Sequence, residues 1–166
     1  SSLTSVVIPD SVTSIGYDAF IGCHRLVSIE VDENNTSYKS IDGNLYTIDG
    51  KTLIQYAIGK TATEFKIPTG VTTIKEYAFY YCCELEEINI PDSVEYIGDW
   101  SFYGSNRNLV SLTVNSITPP NIGDKAFTGL TCPIYVPCES IDAYKTAYGW
   151  SGYTDLIQCA EYCVER

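Results

Sequence analysis

Basic residues are scarce in this chain. Ten Lys and Arg stand against 21 Asp and Glu, giving a formal charge of −11 over 166 residues. Nucleic-acid binding needs clustered Lys and Arg to neutralise phosphates, so the composition argues against that partner class. No apolar run approaches the roughly 18 residues of a membrane span. A signal-like segment is also missing, and residue 1 is Ser rather than Met. The expectation is a processed chain or a fragment whose address lies elsewhere. Seven cysteines are too few for a disulfide-dense miniature fold at this length. One domain of this size instead buries very roughly 70% of its unfolded surface.

What the chain has is internal repetition. "IPDSVTSIGYDAFIGC" at 8–23 returns as "IPDSVEYIGDWSFYGS" at 90–105. Ile-Pro at 8–9, 67–68 and 90–91 and Val-Pro at 136–137 put four of the seven prolines in one register. An Ile lies five residues before a Phe at Ile15/Phe20, Ile74/Phe79, Ile97/Phe102 and Ile122/Phe127, so four of the five phenylalanines share another. Six units follow, starting at Leu3, Leu26, Ala62, Leu85, Leu109 and Thr131, at intervals of 23, 36, 23, 24 and 22 residues.

Most units open as apolar-x-x-apolar-x-apolar ("LTSVVI", "LVSIEV", "LEEINI", "LVSLTV"), which reads as a short strand with one buried face. Proline then ends the strand, because it has no N–H for a ladder. V-x-x-I-G gives a second extended piece, and Ala-Phe or Ser-Phe with a helical turn closes the unit. One such unit cannot bury its own apolar face, whereas stacked units can. The expected fold is an α+β repeat solenoid with a parallel sheet of openings and a phenylalanine spine. Six rungs at about 4.8 Å make a stack roughly 25 Å long.

Two units depart from the pattern. The second contains "NLYTIDGKTLIQY", two alternating runs around Asp49-Gly50, which predicts a β-hairpin over 44–56 with a type I′ turn. It stands in for the Ala-Phe turn. In the last unit "ESIDAYKTAYG" sets Ile141, Tyr144 and Tyr148 on one helical face with Gly149 as the stop. A C-terminal capping helix within 139–157 is expected, with the solenoid spanning 1–158 and a tail at 159–166. No matching cap precedes Leu3, so the N-terminal end is expected to be open.

The units "LTSVVIPDSVTSIGYDAFIGC", "FKIPTGVTTIKEYAFYYC" and "LEEINIPDSVEYIGDWSF" resemble the BspA-like leucine-rich repeat family. "VDENNTSYKSIDGNLYTIDGKTLIQYAIGK" resembles its long repeat, and "TPPNIGDKAFTG" with "IYVPCESIDAYKTAYGW" its last coils. The resemblance covers about residues 3–157. It implies a curved right-handed leucine-rich-repeat coil, secreted or displayed on a cell surface, usually bacterial. It also implies an adhesion or interaction module, with host matrix proteins among possible partners. No shared active site comes with it, and "QCAEYCVER" matches nothing in the family's pattern.

Candidate chemistry is thin. His24, the only histidine, follows Cys23. A Cys-His pair needs side chains that face each other, and neighbours in a turning chain diverge. The slot three residues after Phe holds Cys23, Cys82, Ser105 or Leu130, which suits a small buried plug. Cys132, Cys138, Cys159 and Cys163 crowd the last 35 residues, but C-x5-C and C-x3-C are not zinc-knuckle spacings. A disulfide from the tail to the final coil is the favoured alternative to zinc. Cys132 and Cys138 flank a strand about 20 Å long if fully extended, so they should not pair with each other. "DENN" and "DGN" offer oxygen ligands without a complete calcium loop, and turn formation explains them better. Asn34 and Asn35 each begin an N-x-[ST] sequence, which matters only in a glycosylating host. Seven acidic residues and no basic ones lie between Lys75 and Arg107; a solvated surface is favoured over steering of a basic partner. Fourteen tyrosines do not by themselves indicate a sugar site, because several, such as Tyr144 and Tyr148, are expected in core or capping positions.

No nucleophile, base and orienting group combine, so no enzyme and no cofactor are expected. The expected function is an extracellular, monomeric recognition module for a protein ligand. A spacer repeat in a larger surface protein and a carbohydrate-binding module are the alternatives. The site follows from strand phase. In "LEEINI" the apolar Ile88 and Ile90 point inward, so Glu87 and Asn89 face outward. The same phase selects Ser5 and Val7, Ser28 and Glu30, Glu64 and Lys66, Ser111 and Thr113, and Pro133 and Tyr135. A basic protein partner would meet Glu30, Glu64 and Glu87 there.

Overall fold

The computed structural model describes residues 2–105 and 107–160. The chain winds through about seven turns of a β-solenoid, mostly strand and turn with little helix. Strands β1 (Ser5–Ile8) and β2 (Ser28–Val31) open the first two units and pair in parallel. The long second unit then folds into β3 (Tyr38–Ile41), β4 (Asn44–Thr47) and β5 (Thr52–Gln55), an antiparallel meander. Front and side strands alternate afterwards: β6 (Glu64–Lys66), β7 (Thr73–Ile74), β8 (Glu87–Ile90), β9 (Tyr96–Ile97), β10 (Ser111–Val114) and β11 (Asn121–Ile122). The chain continues through β12 (Ile134–Val136), a short helix α1 (Ile141–Thr146) and β13 (Ile157–Cys159).

The front strands make two parallel sheets, β1-β2 and β6-β8-β10-β12-β13. The side strands β7, β9 and β11 run parallel and join the meander in a sheet ordered β11-β9-β7-β5-β4-β3. Register is strict. Phe65, Ile88, Leu112, Ile134 and Ile157 stand opposite one another along the larger front sheet. Ile74, Ile97 and Ile122 do the same on the side sheet. A slip of one residue would expose every one of these plugs. After β1, β6 and β8 a proline starts a turn: its carbonyl accepts from the valine N–H three residues on, at 3.3 Å for Pro9–Val12 and 3.2 Å for Pro68–Val71 and Pro91–Val94.

The segment carrying each phenylalanine is a run of turns, not the helical turn the sequence suggests. Alternate amides go to different places. Tyr80 and Cys82 donate within their own turn, to Tyr77 and Phe79, both at 3.0 Å. Phe79 and Tyr81 donate to Ser101 and Tyr103 of the next rung, both at 2.8 Å. Phe102 reaches Ala126 in the same way at 2.9 Å. A helix would keep all of these bonds inside one unit. Close approach also explains the glycine after the side strand. A Cβ on Gly98 would lie 2.4 Å from the Glu76 nitrogen of the preceding rung.

The aromatic spine exists with altered membership. Tyr56, Phe79, Phe102, Phe127 and Trp150 follow one another at centroid distances of 5.4, 4.9, 5.4 and 5.2 Å. Phe20 does not join it. It sits in a separate small core with Ile8, Cys23, Leu26, Ile29, Leu45, Ile54 and Ala57. The meander divides the two cores, with Leu45 and Ile54 facing one and Tyr46, Leu53 and Tyr56 the other.

The hairpin over 44–56 forms at the expected place, but its turn is not the expected type I′. Gly50 has φ 72°, whereas Asp49 is not among the residues with positive φ. The pair that has it is Asp42 (52°) and Gly43 (73°), between β3 and β4. Its partner β3 and the turn at Asp42-Gly43 are additions. The C-terminal end differs more. Helix α1 stops at Thr146 because Ala147 turns extended (φ −65°, ψ 145°). Tyr148 is therefore 95% exposed, not on the buried face with Tyr144. Tyr144 and Trp150 are buried and donate to the carbonyls of Ser116 and Pro120, both at 2.7 Å. The front sheet continues past this helix into β13, a rung absent from the six-unit reading.

Two substitutions test the register. Phe102→Ala should cost about 3–5 kcal/mol, while Glu95→Ala, at an exposed turn, should change the urea midpoint little. Ser101 fills the slot that holds Ala78 and Ala126 in neighbouring rungs, and its buried hydroxyl has no hydrogen-bond partner. Ser101→Ala should therefore stabilise the chain by about 1 kcal/mol. A loss of stability in that variant would contradict the assignment.

Candidate functional site

The strand phase that buries the isoleucines turns their neighbours outward. In register along the front sheets, Ser5 faces Ser28 and Val7 faces Glu30. Glu64, Glu87 and Ser111 form one row, and Lys66, Asn89, Thr113 and Tyr135 the other. Ser5, Val7, Glu30, Glu64, Lys66 and Glu87 are exposed; Ser28, Asn89, Ser111, Thr113, Pro133 and Tyr135 are half-buried. A shallow groove over β6, β8 and β10 is lined by Glu64, Lys66, Glu87, Asn89, Ser111 and Thr113, with Phe65 and Ile88 at its floor. Gln158 extends the second row beyond Tyr135, and its strand was not legible in the six-unit reading.

The two rows are not continuous. Strand β2 does not pair with β6. The rung between them is filled by the meander: Ile29 N–H donates to the Gly43 carbonyl and Gly59 N–H to the Leu26 carbonyl, both at 2.8 Å. Lys60 occupies this break. Its ammonium donates to the Asp42 carbonyl. Burial holds its pKa below the usual lysine value, while Asp42 and Glu30 oppose that shift. Glu30 in turn accepts from the Ser28 hydroxyl. The acidic character of the face is thus concentrated at Glu64 and Glu87. These two carboxylates stand directly opposite on neighbouring strands, with Lys66 and Asn89 as the next pair.

The other candidates resolve into structure. Cys23 is a buried plug beside the exposed His24, whose ring lies edge-on to Tyr81 at 6.4 Å. The two side chains thus occupy different environments. Cys82 is buried, and that burial pushes its thiol up to about 12. Cys138 and Cys159 are joined by a disulfide, with Cα atoms 4.6 Å apart, tying α1's approach to β13. That is a bond between tail and final coil. Cys132 is buried and free, and Cys163 lies outside the described residues. Among the described residues, no group of three or more His, Cys, Asp or Glu side chains could hold a metal ion.

In "DENN", Asp32 accepts from the Asn34 N–H at 2.9 Å and from its amide at 3.2 Å, a turn motif. Asn35 is buried and fully used. Its amide donates to the Pro9 and Val12 carbonyls at 2.7 and 3.0 Å, and its oxygen accepts from Ser37 and Tyr38 at 2.8 Å each. A glycan could not reach it in the folded chain, whereas Asn34 is exposed.

The sequence profile of the BspA type leucine rich repeat region matches residues 1–46 and 55–142 in six copies. No curated protein is significantly similar to the chain. Solved structures are, among them three bacterial proteins. The pneumococcal vaccine antigen PcpA is 19% identical, with a TM-score of 0.61 over 95% of this chain and 54% of its own. A leucine-rich repeat protein from Eubacterium ventriosum is 30% identical, with a TM-score of 0.56 over 82% of this chain and 42% of its own. A leucine rich cell surface protein from Faecalibacterium prausnitzii is 28% identical, with a TM-score of 0.63 over 96% of this chain and 48% of its own. The chain thus spans about half the length of these structures. No helix among the described residues is long and apolar enough to cross a membrane.

Buried acids of weak strength give a pH test. Burial raises Cys82 from 9.0 to about 12, Cys132 from 9.0 to about 11 and Tyr46 from 10.0 to about 12, the last with help from Asp42. Tyr56 and Tyr144 shift the same way. Each group must stay neutral to remain folded but is free to ionise once unfolded. Their contribution is therefore complete below about pH 9 and lost as pH rises towards 12. The urea midpoint should be flat from pH 7 to about 8.5 and fall steadily above it. A midpoint that rises with pH in that range would contradict this placement of the thiols and phenols.

Proposed function

Because the chain belongs to the BspA-type leucine-rich repeat family, we propose that it is a non-enzymatic recognition module working outside the cell. In this reading a protein ligand docks on the concave, front-sheet side, with host matrix or surface proteins as the first candidates. The module acts as a monomer, and α1 with the turn after it covers the last aromatic rung.

One observation carries the proposal. Glu64 and Glu87 face each other in register on the open side of the sheet. Like charges directly opposite on neighbouring strands repel, on a scale of roughly 0.2–1 kcal/mol per pair. A pure spacer has no use for that cost. A binding face has, since two adjacent carboxylates beside small polar side chains suit a basic group on a partner. An open parallel sheet also departs from the usual doubly covered arrangement, and solenoids commonly use such surfaces.

The test has two arms. Glu64→Lys should stabilise the chain slightly, by about 0.2–1 kcal/mol, by replacing repulsion with attraction. Wild type and the Glu30→Lys, Glu64→Lys, Glu87→Lys triple variant would then be measured against a panel of immobilised matrix proteins at two salt concentrations. Slower association and weaker salt dependence in the triple variant are expected. Unchanged on-rates for a protein that binds wild type would move the site off this face.

A further inference from the structure

A second surface, on the turn side of the stack, has a different chemistry. The slot two residues before each spine phenylalanine holds Tyr77, Trp100 and Lys125 in successive rungs, and all three have positive φ (62°, 56° and 56°). Tyr17, from the first unit, stacks on Tyr77 at 5.7 Å with the planes 25° apart. With Tyr96 from β9 and the carboxylates of Glu76 and Asp99, these residues line one cleft: Tyr17, Glu76, Tyr77, Tyr96, Asp99 and Trp100. Four aromatic rings and two carboxylates meet there, and no basic residue lines it.

The electrostatics point one way. Asp99 accepts the Asp124 N–H at 2.9 Å, which brings a third carboxylate close. The Tyr96 hydroxyl is held above its usual value first by burial and then by Asp99, Glu76 and Asp124. The chain also supplies its own example of what these rings bind. The Lys125 ammonium lies 4.5 Å from the centre of the Trp100 ring. That leaves three carboxylates to one ammonium around the cleft.

We propose that this cleft is a cage for an alkylated ammonium group. Ring faces are electron-rich and attract cations, and several rings together suit one whose charge is spread over methyl groups. A free, unsubstituted ammonium or inorganic cation is held more strongly by water than an alkylated one, so it gains less from aromatic walls unless, like Lys125, it is tethered beside them. A neutral sugar also stacks on such rings and hydrogen-bonds to carboxylates, tyrosine hydroxyls and an indole N–H, but only a cation gains Coulomb attraction from the carboxylates around the cleft. The carboxylates set charge selection, and the rings set size. This site is independent of the front-sheet reading and shares no residue with it.

The experiment is a titration of the whole chain with tetramethylammonium chloride, followed by tryptophan fluorescence at constant ionic strength. Trp150 is fully buried, so Trp100 reports. A saturable response in about the millimolar range is expected. Tyr17→Ala and Glu76→Gln, both at accessible positions, should each weaken it about tenfold or more while leaving the circular dichroism spectrum unchanged. Glu64→Lys should leave it unchanged. No saturable response, an equal response to neutral tert-butanol, or binding of cellobiose in place of tetramethylammonium would each overturn the proposal.

Discussion

Everything in this chain depends on contact between successive coils. A single unit has a three- or four-residue strand, a proline turn, a two-residue strand and a run of turns, none of which could stand alone. Its inward side chains are covered only by the same side chains one rung away. Its alternate amides find their acceptors only on the next rung. The repeated Ile-Pro, Ile-Gly and Ala-Phe sequences are the local expression of that one requirement. Proline stops the strand, glycine lets backbones approach, alanine leaves room and phenylalanine fills the axis.

The same constraint shapes the exceptions. Where the second unit inserts a meander, the front sheet breaks, and the hydrophobic core divides with it. Tyr56 takes the spine position beside Phe79, while Phe20 packs in the smaller core. The break brings Lys60 and the Asp42 turn into a face that would otherwise be an unbroken ladder. At the other end the disulfide and Trp150 hold the last coil, so the sheet runs on into β13 rather than ending at the helix.

The parts legible in the sequence were those with a period. Strand phase placed the outward rows correctly because alternation in "LEEINI" leaves no choice of face. Asp49-Gly50 marked the hairpin because Gly50 accepts the positive φ its turn needs, although Asp49 does not share it and the turn is not the type I′ the dipeptide suggests. What escaped had no period to reveal it. "YKSI" is too polar to announce β3, and a tyrosine does not advertise itself as the equivalent of a phenylalanine. Tyr148 fits a helical face only if the helix continues, and Ala147 ends it. The aromatic cleft draws on slots from several units, so no single stretch of sequence displays it. Its two lining acids, Glu76 and Asp99, belong to the acidic run between Lys75 and Arg107, and nothing in that run points to a cleft.

The claim that rung-to-rung contact holds the fold is open to one direct measurement, native-state amide hydrogen exchange. The amides of Phe79 and Phe102 donate to the following rung, whereas the Asn34 amide sits in an exposed turn. The account predicts that Phe79 and Phe102 exchange together, only through cooperative opening of the larger core, and far more slowly than Asn34. Exchange of Phe79 and Phe102 at rates near that of Asn34, or at rates unrelated to each other, would contradict it.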